Sequence, residues 1–243
     1  MQLFSHLLVK PNQSLSALDH TIPFDGAPLY LPYFVDLRSV GLPYAVSKFL
    51  ITNKVYTSYL KLVSKKNLLY QEDPRFNQEN HPAVGINFRD AEDYCDWLTA
   101  RFGMKFTLPT AQIWEEIARC KTDADFSTPT GNCSEKLANI GLYFGGTTPV
   151  NQFSPNSFGL HDMTGNALEW TSTVPSEKEM RPEYGAMPSK SEQDLKKNRI
   201  LKGGCWAFDA DNSRISQSII MGIFSFYYTT GFRPIIDLRE TNA

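Results

Sequence analysis

Asn156-Ser157-Phe158-Gly159-Leu160-His161-Asp162-Met163-Thr164-Gly165-Asn166-Ala167-Leu168-Glu169-Trp170 is the stretch on which the reading of this chain turns. Gly165 tightens a turn between polar residues, and a short apolar run follows it. The chain keeps this character throughout its second half. After residue 140 it is rich in Gly, Pro and Asn, with short apolar runs such as Arg199-Ile200-Leu201-Lys202 and Gly231-Phe232-Arg233-Pro234. Such a pattern predicts short strands joined by long, compact, irregular loops.

Upstream the pattern is helical. Asn87 caps a helix whose stripe is Ala91, Tyr94, Cys95, Leu98 and Phe102, ended by Gly103. Thr110 caps a second, with Ile113, Trp114, Ile117 and Ala118 on its apolar face. Thr52 to Val63 reads as a third, through Val55, Tyr59, Leu62 and Val63. Helices followed by a loop-rich β region predict an α+β fold with little regular secondary structure. The charge-dense stretch 176–199 reads as a solvated surface loop within the domain, because patterned sequence resumes at Ile200.

With 243 residues, 42% of them hydrophobic and 13% aromatic, the chain can bury a sizeable core as one domain over residues 1–243. Its net charge of −2 gives no basic field for a polyphosphate backbone, which argues against nucleic acid. No stretch approaches the roughly 20 apolar residues of a membrane span. The first ten residues have no basic start and no small-residue cleavage site, so a cytoplasmic location is expected. Cys95, Cys120, Cys133 and Cys205 show neither a C-x-x-C pair nor a metal-ligand rhythm. Spacing alone permits a Cys120–Cys133 disulfide, but reduced thiols are the favoured reading.

Several blocks together resemble the formylglycine-generating enzyme, or sulfatase-modifying factor, family. They are Pro82 to Asp90-Ala91 with Tyr94-Cys95-Asp96-Trp97-Leu98, then Leu108-Pro109-Thr110 to Trp114-Glu115, then the Asn156–Trp170 stretch. Lys202-Gly203-Gly204-Cys205-Trp206, Arg214 and Gly231-Phe232-Arg233 complete the series. The blocks stand in the family's order across about residues 45–236, which is far more specific than one short motif. The resemblance implies a C-type-lectin-like α+β fold. The N-terminal segment, about residues 1–44, departs from the family's usual opening.

The copper-dependent enzymes of that family carry two cysteines where this chain has Phe208 and Ser213. A soft Cu(I) ion needs thiolates; a phenyl ring cannot bind it and a hydroxyl binds it poorly. Cys205 offers one thiol, and is read as a small residue standing for the family's serine. The iron-dependent branch needs a preassembled imidazole or carboxylate set. His6, His20, His81 and His161 form no such pattern, so neither copper nor iron is expected. No catalytic residue is therefore assigned. The resemblance does imply a calcium loop formed by the Asp162 carboxylate, the Gly165 and Ala167 carbonyls and the Glu169 carboxylate. Hard oxygen donors of this kind suit Ca²⁺. The bland alternative is a turn whose acids bond backbone N–H groups. A second family site, at Asn139 and Ile140, lacks an obvious acidic ligand here.

In the family, the stretch corresponding to residues 206–230 forms the exposed face where a substrate or partner sits. Trp206, Phe208, Asp209, Asp211, Asn212, Tyr227 and Tyr228 are read as that face, because it mixes aromatic and adaptable polar groups. Ile219, Ile223 and Phe226 are read as core. Arg214 and Arg233 are read as structural arginines that pair with buried carboxylates or carbonyls. The leading expectation is a non-catalytic binding or accessory domain for a protein or small-molecule partner. The alternatives are a divergent oxidase or other tailoring enzyme of the family, and a ligand-binding variable protein of a diversity-generating retroelement.

Overall fold

Three amphipathic helices begin on side-chain caps that the sequence supplies. Helix α1 (Asn53–Leu62) starts where Thr52 accepts a hydrogen bond from Val55 N, and α2 (Phe88–Phe102) where Asn87 accepts from Asp90 N. Helix α3 (Ala111–Arg119) starts on Thr110, which accepts from Ile113 N. Gly103 ends α2 in the left-handed conformation, φ 69°, as a C-terminal glycine does. The computed structural model describes residues 5–241 other than 12, 14, 16, 25–26, 66–68 and 181–190.

The strands are short. In chain order they are β1 (Leu8–Val9), β2 (Asp19–Phe24), β3 (Ala27–Pro32), β4 (Phe34–Asp36), β5 (Tyr44–Ser47), β6 (Phe106–Thr107) and β7 (Leu168–Trp170). After a short helix α4 (Glu192–Lys196) come β8 (Asn198–Lys202), β9 (Ile219–Gly222), β10 (Thr230–Gly231) and β11 (Ile235–Asp237). One sheet has the order β1-β4-β5-β11-β6, a second the order β10-β7-β8-β9, and β2-β3 form a hairpin. The last strand, β11, therefore lies antiparallel to β5, near the other end of the chain.

Alternation along the five-stranded sheet sends successive residues to opposite sides. Phe34, Ala45 and Ile236 face one cluster, with Val55, Tyr56 and Tyr59 of α1 and Ala91, Tyr94 and Leu98 of α2. Val35, Val46 and Ile235 face the other, with Trp114, Ile117 and Ala118 of α3. A sheet covered on both faces needs an unbroken apolar run, and all four residues of β5 are buried. The second sheet adds Leu168, Trp170 and Leu201 to the α1–α2 side.

Two expectations need correction. The 176–199 stretch is not loop throughout: Ser191 caps α4, and β8 opens at Asn198 rather than Ile200. Residues 181–190 of that stretch lie outside the described residues. Phe226 is not core; it is 46% exposed, whereas Ile223 is buried as expected. All four cysteines are free thiols, Cys120 and Cys133 included. Among the described residues, no helix is long and apolar enough to cross a membrane.

Candidate functional site

The loop before β7 and the loop after β8 are tied together by their backbones. Gly165 N donates to Gly203 O at 2.7 Å, Trp206 N to Asn166 O at 3.1 Å, and Asn166 N to Asn139 O at 2.9 Å. Gly165 has φ 80°, and a Cβ there would stand 2.3 Å from Asn139 O, so no other residue fits this crossing. The Asn166 side chain is wholly buried and connects what the backbones leave open. Its amide donates to Thr148 O and to Asp162 Oδ2, and its carbonyl accepts from Thr148 N and the Asn139 amide.

Two oxygens of this cluster, Asp162 Oδ1 and Asn139 Oδ1, are buried without a hydrogen-bond partner. Burial pushes the Asp162 carboxyl up to about 7, against the pull of its Asn166 bond. Glu169 stands differently. Its oxygens accept from Arg233 Nε and Nη2 at 2.8–3.1 Å, and Oε2 also accepts from Trp114 Nε1 at 2.8 Å. As a test of calcium fit this divides the implied set. Asp162 has an unshared oxygen of the right hardness, whereas the Glu169 carboxylate is already held on both oxygens. At the second site the Ile140 carbonyl accepts from Tyr143 N at 3.3 Å. Among the described residues, no group of three His, Cys, Asp or Glu side chains could hold a metal ion.

Past β8 the chain turns sharply on Gly203 (φ 94°) and Gly204 (φ 69°). A Cβ at Gly204 would lie 2.6 Å from Ser213 Cβ, so the glycine admits Ser213 against the turn. Ser213 is buried and donates to Asp209 O at 2.8 Å. Phe208 is half-buried against the α1–α2 cluster. Cys205 is buried, which pushes its thiol up to about 12 and leaves it protonated and unreactive at neutral pH.

Asp209, Asp211 and Asn212 are exposed, with Asp209 Oδ1 accepting from both Asn212 N and its amide. Arg214 bonds Asp125 and Asp211, both exposed, so only Arg233 of the two arginines meets a buried carboxylate. Phe224, Phe226, Tyr227 and Tyr228 are 70%, 46%, 50% and 45% exposed. Trp206, read from the sequence as part of the face, is instead buried beneath Tyr228, its indole 5.8 Å from the rings of Phe76 and Tyr228.

The family model for the sulfatase-modifying factor enzyme 1-like domain matches residues 38–238. The chain belongs to that family. Among relatives, the serine/threonine-protein kinase pkn1 of Chlamydia caviae is 28% identical over 202 residues, which is 75% of this chain and 31% of that protein. Two bovine proteins, inactive C-alpha-formylglycine-generating enzyme 2 and formylglycine-generating enzyme, are each 32% identical over 54% of this chain, and 40% and 36% of their own lengths. The chain thus spans between about a third and two fifths of the length of these relatives. Among solved structures, Treponema denticola variable protein 1 superposes with a TM-score of 0.66 at 17% identity, covering 91% of this chain and 100% of that one. The sulfatase-modifying factor domain here therefore has the α+β, C-type-lectin-like fold of the formylglycine-generating-enzyme type. Identity does not separate an active from an inactive role, since the bovine pair stand equally near.

One part of the exposed surface went unread in the sequence. Leu142, Tyr143 and Phe144 are all exposed, and Leu142 N donates to Trp206 O at 2.8 Å. Trp206 Nε1 in turn donates to Tyr228 O at 3.3 Å. Trp206 thus joins the 142–144 loop to the 226–228 turn, and the two flank it. A signal was present: three large apolar residues between Gly141 and Gly145-Gly146 have no periodicity to bury them.

Proposed function

We propose that this domain binds a protein or small-molecule partner through the 206–230 face, extended by Leu142, Tyr143 and Phe144, and performs no cysteine-based oxidation. The observation that carries this reading is the exposure of Phe224, Phe226, Tyr227 and Tyr228 along the segment between β9 and β10. Large apolar side chains exposed close together in sequence are more than the single scattered residues of ordinary surface, and mark an interaction site where they form a patch. Aromatic side chains supply most of the anchors in such sites. The buried Trp206 beneath Tyr228 fixes the platform rather than touching the partner. Phe208 and Ser213, in the positions of the family enzymes' cysteines, give copper no thiolate.

Calcium enters the same proposal as a structural ligand. Asp162 would hold it through Oδ1, with the Gly165 and Ala167 carbonyls, while Glu169 stays with Arg233. A site with one anionic ligand is a weak one. The metal would neutralise a carboxylate that is otherwise buried beside an unpartnered oxygen, and so stiffen the loop under Trp206.

The test compares wild type with Tyr227→Ala/Tyr228→Ala for capture of a partner from the source extract, each protein first checked by thermal melt. Capture lost with the fold intact supports the face. Undiminished capture by the double variant rejects it.

A further inference from the structure

A cleft of about 320 Å³ opens between β5 and the loop that carries His161. Its apolar walls are Leu15, Leu18, Phe49 and Pro155, and its polar groups are Gln13, Lys48, Asn151 and His161. No residue of the 206–230 face lines it.

Lys48 is 5% exposed; among the described residues its ammonium makes one long hydrogen bond, 3.3 Å to the Gln13 carbonyl, and stands 6.0 Å from the Phe49 ring centroid. An ammonium has three donors. Buried cations elsewhere in this chain are compensated: Arg233 by Glu169 and Lys202 by Glu115. Lys48 has no carboxylate partner among the described residues. A buried charge left unpaired is costly, and proteins almost always avoid it.

The groups around Lys48 sharpen the requirement. His161 Nδ1 stands 2.9 Å from the Phe153 carbonyl, which can only accept, so Nδ1 carries the proton and Nε2 is an acceptor. Its ring leans on Phe49, centroids 4.8 Å apart. Lys48 is thus the cationic group of the lining, in a cleft whose other walls are four apolar side chains and the neutral polar groups of Gln13, Asn151 and His161. One ammonium balances one negative charge. A phosphate or sulfate would bring more charge and more acceptors than it can satisfy, and the lining has no arginine fork.

We propose that this cleft is a binding site for a monocarboxylate with a short apolar body. The carboxylate takes Lys48 as its counter-ion, and the apolar body lies between Leu15, Leu18 and Phe49. The volume is at the lower end of small-molecule sites, which suits a ligand of a few carbons.

Hexanoate, hexanamide and inorganic phosphate, titrated separately into wild type and Lys48→Met, test this by calorimetry and thermal melt. Hexanoate should bind wild type saturably and raise its melting temperature; hexanamide and phosphate should do neither. Lys48→Met should lose about ten- to a hundredfold in hexanoate affinity. It should melt no lower than wild type without ligand, because methionine fills the same space without the charge. Absence of hexanoate binding, equal binding of hexanamide, or a response that survives Lys48→Met would each overturn the proposal. Should Lys48→Met not fold, the hexanoate–hexanamide contrast on wild type decides, with Lys48→Gln as the second variant. Tyr227→Ala/Tyr228→Ala should keep the hexanoate response, so failure of the binding face and failure of this site are read separately.

Discussion

The Arg233 guanidinium lies on the Glu169 carboxylate in the interior, Nη2 2.8 Å from Oε1, with each side chain 1% exposed. Arg233 Nη1 also reaches the Ser47 carbonyl at 2.8 Å and Nη2 the His161 carbonyl at 2.7 Å, while Trp114 of α3 donates to Glu169 Oε2. The pair therefore ties β5, β7, α3 and the segment before β11 into one unit. Removing one partner strands the other charge. Arg233→Met should cost about 3–5 kcal/mol in denaturant unfolding, and Arg233→Met/Glu169→Leu distinctly less than Arg233→Met alone. A double variant no more stable than the single one would show that the two residues are not coupled in this way.

The helices were legible because their signals are local. Asn87, Gly103 and Thr110 announce their ends, and a 3.6-residue stripe needs only the neighbouring turns. The pairing of β11 with β5 has no such signal, since it joins residues nearly 200 positions apart. Strands of two or three residues are also too short to show a period, and the six-residue strands β2 and β3 show no clean alternation: β2 buries Asp19 and Ile22, three positions apart, and β3 begins exposed and carries Pro28 and Pro32. Phe226 reads as core for a related reason: an apolar residue beside a strand looks buried unless the irregular chain that carries it outward is known. The family blocks located Asp162, Glu169 and Arg233, yet could not tell a metal ligand from an ion-pair partner. That distinction lies in which oxygens are already bonded. Lys48 carried no sequence signal at all, because the lack of a counter-ion is a property of the surroundings.

Calcium bound at Asp162 should stabilise the native state by mass action. Chelator-treated protein should melt higher as calcium is added, approaching about 2.7 kcal/mol of stabilisation at a hundredfold excess over the dissociation constant. Asp162→Ala should abolish the response. A melting temperature indifferent to calcium and to chelator would leave the loop held by hydrogen bonds alone.

Copper chemistry should be absent. On the proposed correspondence of Phe208 and Ser213 with the family enzymes' thiolates, copper-loaded protein should leave the cysteine of a sulfatase peptide unconverted, as read by peptide mass. Copper-dependent formation of formylglycine would reverse the non-catalytic reading.

Acid should weaken the fold through His161. Burial, with smaller contributions from the Lys48 and Arg233 charges, pushes its pKa down to about 4 against the pull of the Phe153 carbonyl. The folded value lies below the unfolded one of about 6.5, so the unfolded chain binds the proton first as pH falls. Stability from this group is complete above about pH 6.5 and is lost down to about pH 4. The loss is at most about 3 kcal/mol, less what partial exposure screens. His161→Gln keeps a donor for the Phe153 carbonyl and should flatten the stability curve in that window. An unchanged slope would place the acid sensitivity elsewhere.

The binding face should be separable from the core. Trp114 is 1% exposed, packs in the α3 cluster and bonds Glu169, so Trp114→Ala removes a large buried ring and leaves a buried acceptor short of a donor. It should cost about 3–5 kcal/mol, much of the total stability of an ordinary domain. Tyr227 and Tyr228 are half-exposed, and Tyr228 rests on Trp206 and Phe76 with one side of its ring. Tyr227→Ala should shift stability by under about 0.5 kcal/mol, as most surface changes do. Tyr228→Ala should cost somewhat more, because it gives up ring packing worth about 0.5–1.5 kcal/mol. Asp209→Ala and Asp211→Ala should resemble Tyr227→Ala in the melt. Against a captured partner the order should reverse: the tyrosines weaken binding most, the acids less, and any variant that keeps the fold remains measurable. Melts and binding on the same set decide it. Tyr227→Ala and Tyr228→Ala melting as low as Trp114→Ala would mean that this turn is held as interior, and the face would lose its anchors.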